Sequence, residues 1–360
     1  MKNNLLTLIT IATTIFLTAC EKEIEFNGEQ SDPKLVINSL VEVGQPVSAS
    51  ISKSYFFLDN NANTLAPDDL VASLYVNGNL YGLMTQTYDT LSSYDIWDPN
   101  DPSLAYVRKV YVSDYRPQVG DVVKIVASAN GFDEVEGTTS PMPKRADFQY
   151  DTEITDWYSE YYYPYFDGDE YEADSLFRIV GTMELTINIT DPNPGQTDYF
   201  RFQLIGDQTI RDDEYIWDGD ELVNIGGQNM RWVSCDYDDP VFGTTISEND
   251  YFDASDLDTR PEGVFTDALF DGKTYPLKLK IHFEMDVDEE FDPEFFRAPF
   301  GLEHLSKEYY NYLNTCNQGE LAMQIWAEPI QTYSNVTNGY GIVAGRALDT
   351  LWMPLPLEQR

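Results

Sequence analysis

The chain is poor in histidine and cysteine, the side chains behind imidazole bases, thiol nucleophiles and most zinc sites. Its 360 residues hold two histidines and three cysteines. There is no Gly-x-Ser-x-Gly elbow, no His-Glu-x-x-His and no Cys-x-x-Cys, which excludes the usual serine-nucleophile turn and the common zinc motifs. Basic residues are scarce as well: 22 Lys and Arg stand against 62 Asp and Glu, a formal net charge of −40. A body this acidic repels phosphate backbones, so nucleic acid is not an expected partner. The apolar run from Leu5 to Leu17 is shorter than the roughly 20 residues a membrane-spanning helix needs.

What borders that run gives it a meaning. Met1-Lys2-Asn3-Asn4 precedes it and Leu17-Thr18-Ala19-Cys20 closes it with small residues and a thiol, the pattern of a lipoprotein signal peptide over residues 1–19. Cleavage would leave Cys20 as the first residue, carrying acyl chains such as palmitate. Each buried methylene is worth about 0.8 kcal/mol, so several chains make a stable anchor. The expected location is the outer membrane, lipid-anchored and facing the cell exterior. That orientation rests on Glu21-Lys22-Glu23-Ile24-Glu25, which is similar to the lysine-plus-acidic tag of surface lipoproteins. Residues 20–33 form an acidic tether.

With 42% hydrophobic and 14% aromatic residues, the remainder can bury a core. Residues 34–143 read as an immunoglobulin-like β-sandwich. Val47, Ala49 and Ile51 alternate with serines at the strand period, and Val71–Val76 and Leu80–Met84 flank Asn77-Gly78, a tight-hairpin pair. Further strands are expected over Tyr106–Val112 and Val122–Ala127. Residues 144–360 read as a larger antiparallel β domain with one short helix, so the fold class is mainly β. Met183, Leu185, Ile187 and Ile189 alternate in one strand, which Asp191-Pro192-Asn193-Pro194-Gly195 should turn into a hairpin with Tyr199–Leu204. Leu277, Leu279, Ile281, Phe283 and Met285 mark another strand. Apolar residues from Leu302 to Cys316 recur at three and four residue steps, predicting a helix near 302–316 that Gly319 stops.

The candidate sites are few. An acidic, aromatic insertion over 147–174 carries Trp157, Tyr158, Tyr161, Tyr162, Tyr163 and Tyr165; these either contact a ligand or pack on their own sheet. Cys235 and Cys316 either form one disulfide or remain two buried thiols. His282 and His304 read as surface histidines. No catalytic residue and no cofactor is expected. The oxygen-rich runs Asp167–Glu170, Asp236–Asp239 and Asp286–Glu290 are candidates for structural calcium, although none has EF-hand spacing.

Four segments carry a family resemblance: Asp191–Pro194 leading to Tyr199–Phe202, Asp239–Phe242, Leu305–Tyr310, and above all Glu328-Pro329-Ile330-Gln331-Thr332-Tyr333-Ser334-Asn335-Val336-Thr337-Asn338-Gly339-Tyr340-Gly341-Ile342. They resemble the domain of unknown function 4249 family of Bacteroidota lipoproteins, departing from it at Val343-Ala344-Gly345. The resemblance implies a TonB-dependent outer-membrane receptor as partner and assigns no chemistry. The late glycines and asparagines read as turn residues and as places where backbone passes closely. The functional expectation is a non-enzymatic ligand- or receptor-binding accessory to a TonB-dependent transporter. The alternatives are an acid-pair hydrolase of surface glycans or peptides, and an adhesion or scaffold module.

Overall fold

The computed structural model describes residues 32–54, 65–91, 106–162, 176–204, 215–218, 221–224, 230–243, 262–287, 297–324 and 332–354. The chain first lays down β1 (Leu35–Glu42), β2 (Ser48–Lys53), β3 (Val71–Val76), β4 (Asn79–Leu83), β5 (Thr85–Leu91), β6 (Tyr106–Val112), β7 (Val123–Ser128) and β8 (Val135–Thr138). Two long strands follow, β9 (Asp147–Tyr162) and β10 (Leu176–Thr190), and then β11 (Tyr199–Leu204), β12 (Tyr215–Asp218), β13 (Glu221–Asn224) and β14 (Met230–Asp236). The last part holds β15 (Val264–Thr266), β16 (Thr274–Val287), β17 (Arg297–Leu305), the helix α1 (Lys307–Gln324), β18 (Val336–Thr337) and β19 (Tyr340–Pro354). The protein is mainly β with one α-helix among the described residues, as its composition and periodicity imply.

An eight-stranded sheet in the order β15-β11-β17-β19-β1-β2-β6-β5 is the common layer. Its β1–β2–β6 half packs against the sheet β18-β8-β7-β3-β4, enclosing Ile37, Ile51, Leu74, Ile125 and Val343 among others. Its β11–β17 half packs against the sheet β14-β16-β10-β9 around Leu185, Ile187, Phe200, Phe202, Leu279 and Phe300. Two sandwiches therefore share one layer. Each fully buried Leu, Ile or Phe contributes about 1.5–3 kcal/mol, so both cores are substantial.

The expected boundary at 143 does not separate the layers. β19, from the far end of the chain, runs parallel to β1 with Val36 opposite Tyr340 and Glu42 opposite Arg346. β18 likewise completes the first sandwich by pairing with β8. A layer built from both ends of the chain is not a self-contained immunoglobulin-like unit.

Several local expectations hold. Val47, Ala49 and Ile51 are each 1% exposed. The β3–β4 turn places Asn77 at φ 50° and Gly78 at φ 81°, the left-handed conformations the Asn-Gly pair tolerates. Others are corrected. β10 and β11 are not a hairpin, because β10 pairs with β9 and β16 while β11 lies in the other layer against β15 and β17. The proline-rich loop carries the chain across the sandwich so that both apolar faces meet.

The helix begins later than expected. Leu302 and Leu305 lie in β17, where Phe300, Leu302 and His304 face the core and Glu303 faces the other side. A histidine and a glutamate at alternating positions hid that strand period. Ser306 starts the helix, its Oγ accepting from the Tyr309 amide at 3.4 Å and its carbonyl from the Tyr310 amide at 3.1 Å. Gly319 does not end it; one helical glycine costs only about 1 kcal/mol relative to alanine.

The first part of the 147–174 insertion is also a correction, for Asp147–Tyr162 is strand β9, hydrogen-bonded along β10. A bulge at Thr155 explains the missing period: Thr182 lies opposite Asp156 and Met183 opposite Ile154. Phe148, Tyr150 and Ile154 face the core before it and Trp157 after it, so the inward register changes parity midway.

Candidate functional site

Between the two sandwiches, on the side where α1 begins, lies a cleft of about 530 Å³. Gly120, Pro141 and Lys144 line it from the first sandwich, and Gln196, Asp198 and His304 from the second. Asp198 and His304 in its wall belong to a chain of buried groups at the ends of β10, β11, β15 and β17. His304 is 3% exposed, contrary to the surface position expected of it, and its ring stacks on Phe200 at 5.0 Å between centroids. Its Nδ1 lies 2.6 Å from the Lys144 carbonyl and its Nε2 3.1 Å from Asp198 Oδ1. Both nitrogens face oxygen atoms of the surrounding chain. The histidine thus joins the segment leaving the first sandwich to the start of β11.

Asp198 is held from several sides. The Asn193 side-chain amide donates to its Oδ1 at 2.9 Å and its Oδ2 at 3.1 Å. Burial pushes the Asp198 carboxyl up, but the bonds from His304 and Asn193 outweigh burial and the net shift is downward. Asp191, at the other end of the loop, accepts from the Asn193 amide at 2.8 Å and from the Gly272 amide. Asp267 sits in the one-turn helix Asp267–Leu269 and accepts from the Asp198 amide at 3.1 Å. Burial pushes its carboxyl up, and the charges of Asp198, Asp191 and Asp271 push it the same way against the Asp198 amide. Oxygens of Asp191, Asp198 and Asp267 lie within 4.8 Å of one another, and all three residues are buried.

A second buried polar group occupies the opposite face of the same strands, under α1. Glu303 is fully buried and paired with Arg346, which also meets Glu42 at 2.8 Å. Burial pushes the Glu303 carboxyl up, and Arg346 and Arg201 only partly offset this. The group ties β17, β19 and β1 together.

The residues singled out from sequence fall elsewhere. Trp157 packs against the second core, and Tyr158 is exposed on β9. Tyr161 and Tyr162 end β9 opposite Phe177 and Leu176, their side chains lying outside the described residues together with Tyr163 and Tyr165. Cys20 and the 167–170 run also lie outside them. Cys235 on β14 and Cys316 on α1 are free thiols, not a bridge, and burial pushes the Cys235 thiol up to about 12. His282 is half-buried on the polar face of β16, between Thr182 and Asp236. Asp239 is a structural cap: it accepts from the Val241 amide at 3.0 Å, the Tyr275 hydroxyl at 2.6 Å and the Lys278 amide at 3.0 Å. Asp286 lies in β16, and the rest of its run beyond Val287 is outside the described residues. No sequence motif pointed to Asp191, Asp198 and Asp267. The available signal was an Asp at each end of one turn-rich loop, with an Asn between them that could bond both.

This is a two-layered β protein with a buried acidic junction, and comparison with known proteins places it in a family. The model for the domain of unknown function 4249 (DUF4249) matches residues 21–350, so the chain belongs to that family. No curated protein matches it. Among solved structures, the collagen adhesin (CNA) from S. aureus aligns at 9% identity and a TM-score of 0.12, covering 89% of this chain and 96% of that one; this likeness carries no argument.

Proposed function

We propose that the protein is a lipid-anchored binding component of the outer membrane, displayed outward, that works with a TonB-dependent transporter and performs no catalysis of its own. The observation that carries this reading is Leu17-Thr18-Ala19-Cys20 behind a short apolar run. Acyl chains on Cys20 would hold the folded body beside the transporter. Membership of the DUF4249 family and the TonB association its resemblance implies support the choice of partner.

Surface features favour recognition. Leu80, Tyr81 and Leu83 are 60%, 49% and 71% exposed on β4, which forms one edge of its sheet. An edge strand with exposed apolar side chains is suited to contact with another protein. Tyr158 adds an exposed aromatic on β9, the strand that leads into the tyrosine-rich segment. Both histidines are engaged in internal contacts, which favours structural roles for them over that of a base.

The test is co-purification of the tagged full-length chain from detergent-extracted outer membrane. The transporter should accompany it, and Cys20→Ala should release the protein from the membrane fraction and lose the transporter. Recovery of the lipidated protein without any such receptor overturns the partnership, and efficient turnover of a surface glycan or peptide overturns the non-catalytic reading.

A further inference from the structure

The strongest unexplained feature is the carboxylate junction. Asp267 is 2% exposed, and its Oδ2 has no hydrogen-bond partner among the described residues. Its carboxylate converges with those of Asp191 and Asp198. A buried carboxylate oxygen without a donor is costly, and bringing two more carboxylates beside it raises that cost.

Two arrangements relieve such a cost. A proton shared between two carboxyl groups needs an oxygen–oxygen contact of about 2.5–2.7 Å; Asp191 and Asp198 hydrogen-bond to each other through their side chains, but Asp267 Oδ2 has no acceptor or donor in bonding range among the described residues, so such a proton does not relieve it. A cation needs no such contact. Oxygens bound to one calcium ion at about 2.3–2.6 Å stand up to roughly 5 Å apart, which accommodates the three carboxylates. The hydrogen bonds already present do not block the site. Each carboxylate oxygen has two acceptor directions, so Asp191 and Asp198 can keep their amide donors while offering a second lone pair.

We propose that Asp191, Asp198 and Asp267 bind one structural calcium ion that fastens the Asp191–Asp198 loop to the Asp267–Leu269 turn, beside the cleft between the sandwiches. Backbone carbonyls and water complete the shell, as hard oxygen ligands do around calcium. The ion stabilises the crossing from β10 to β11, the connection that carries the chain between layers. This assignment is independent of the transporter reading, since it rests only on the loop junction.

The experiment uses the full-length chain in detergent, stripped with EGTA, and follows calcium binding by calorimetry and unfolding by circular dichroism. Calcium at 1 mM should bind with a stoichiometry that includes one site lost in Asp267→Asn, and should raise the melting temperature by several degrees. Terbium should replace calcium and show luminescence sensitised by Tyr199, which follows Asp198 directly. Asp267→Asn keeps an oxygen for the Asp198 amide, so it should fold while losing at least tenfold in calcium affinity and the thermal gain. If that variant does not fold, Asp191→Asn provides the same reading. An unchanged melting temperature in EGTA and calcium overturns the site. So does equal calcium stabilisation of wild type and variant, which would locate binding at surface carboxylates instead.

Discussion

At the scale of single residues, Asp121 illustrates how a loop is held by one carboxylate. Its Oδ2 accepts from the Tyr115 hydroxyl at 2.6 Å and the Gln118 amide at 2.8 Å, and its Oδ1 from the Asn77 side-chain amide at 2.8 Å. Burial pushes its carboxyl up, but these three donors outweigh burial and the net shift is downward. A carboxyl lowered by folding stabilises the native state fully above its unfolded value of about 4, and that contribution is lost as the pH falls through the folded value. Asp121→Asn should therefore be less stable than wild type at pH 7, and the difference should shrink below pH 4. Chemical denaturation of both proteins at pH 7 and pH 3 measures this; a gap that stays constant or widens in acid contradicts it. The Asn77-Gly78 turn was readable from its residue types, whereas its tie to Asp121, 44 positions away, was not.

At the scale of elements, the motif that carries the family resemblance is a device for parallel pairing. Gly341 has φ 102°, and a Cβ there would lie 2.1 Å from the Ile37 carbonyl oxygen. Asn335 acts as a side-chain extension of the ladder, accepting from the Val343 amide at 2.9 Å and donating to the Thr138 carbonyl at 2.9 Å and the Val343 carbonyl at 2.8 Å. The reading of this stretch as turn chemistry and close backbone passage is confirmed. Gly341→Ala should cost roughly 1–3 kcal/mol from backbone conformation alone, with the clash against Ile37 adding to it. Thermal melts compared with an alanine substitution at Gly82, where a Cβ meets nothing within 4 Å, isolate the effect. A loss no larger than that of Gly82→Ala counts against the parallel register.

At the scale of the molecule, stability depends on the layer both sandwiches share. Arg346 sits at its seam, bound to Glu303 of β17 and Glu42 of β1 from its own place on β19. Removing one partner of a buried ion pair leaves the other charge stranded, a loss of about 3–5 kcal/mol. Arg346→Met should lower stability by that amount and bring both sandwiches down together, with tryptophan fluorescence and far-ultraviolet dichroism tracing one transition. Separate transitions would show that the halves are energetically independent.

Much of this architecture was legible beforehand, because strand periodicity and Asn-Gly turns are local. Val47, Ala49 and Ile51 face inward for the same reason in the chain and in the fold. What local pattern could not convey is which strands meet. The β10 apolar face reads identically whether β11 pairs beside it or packs across from it, and Phe200 fits either arrangement. The helix starts later than its apolar spacing implies because Leu302 and Leu305 satisfy a helical step by coincidence, while strand pairing with β11 and β19 decides their state. The sequence alone determined a mainly β protein of strongly acidic composition, with glycines where backbones touch. Only tertiary structure decided the shared sheet, the buried His304 and the convergence of Asp191, Asp198 and Asp267, since each depends on contacts between residues far apart along the chain.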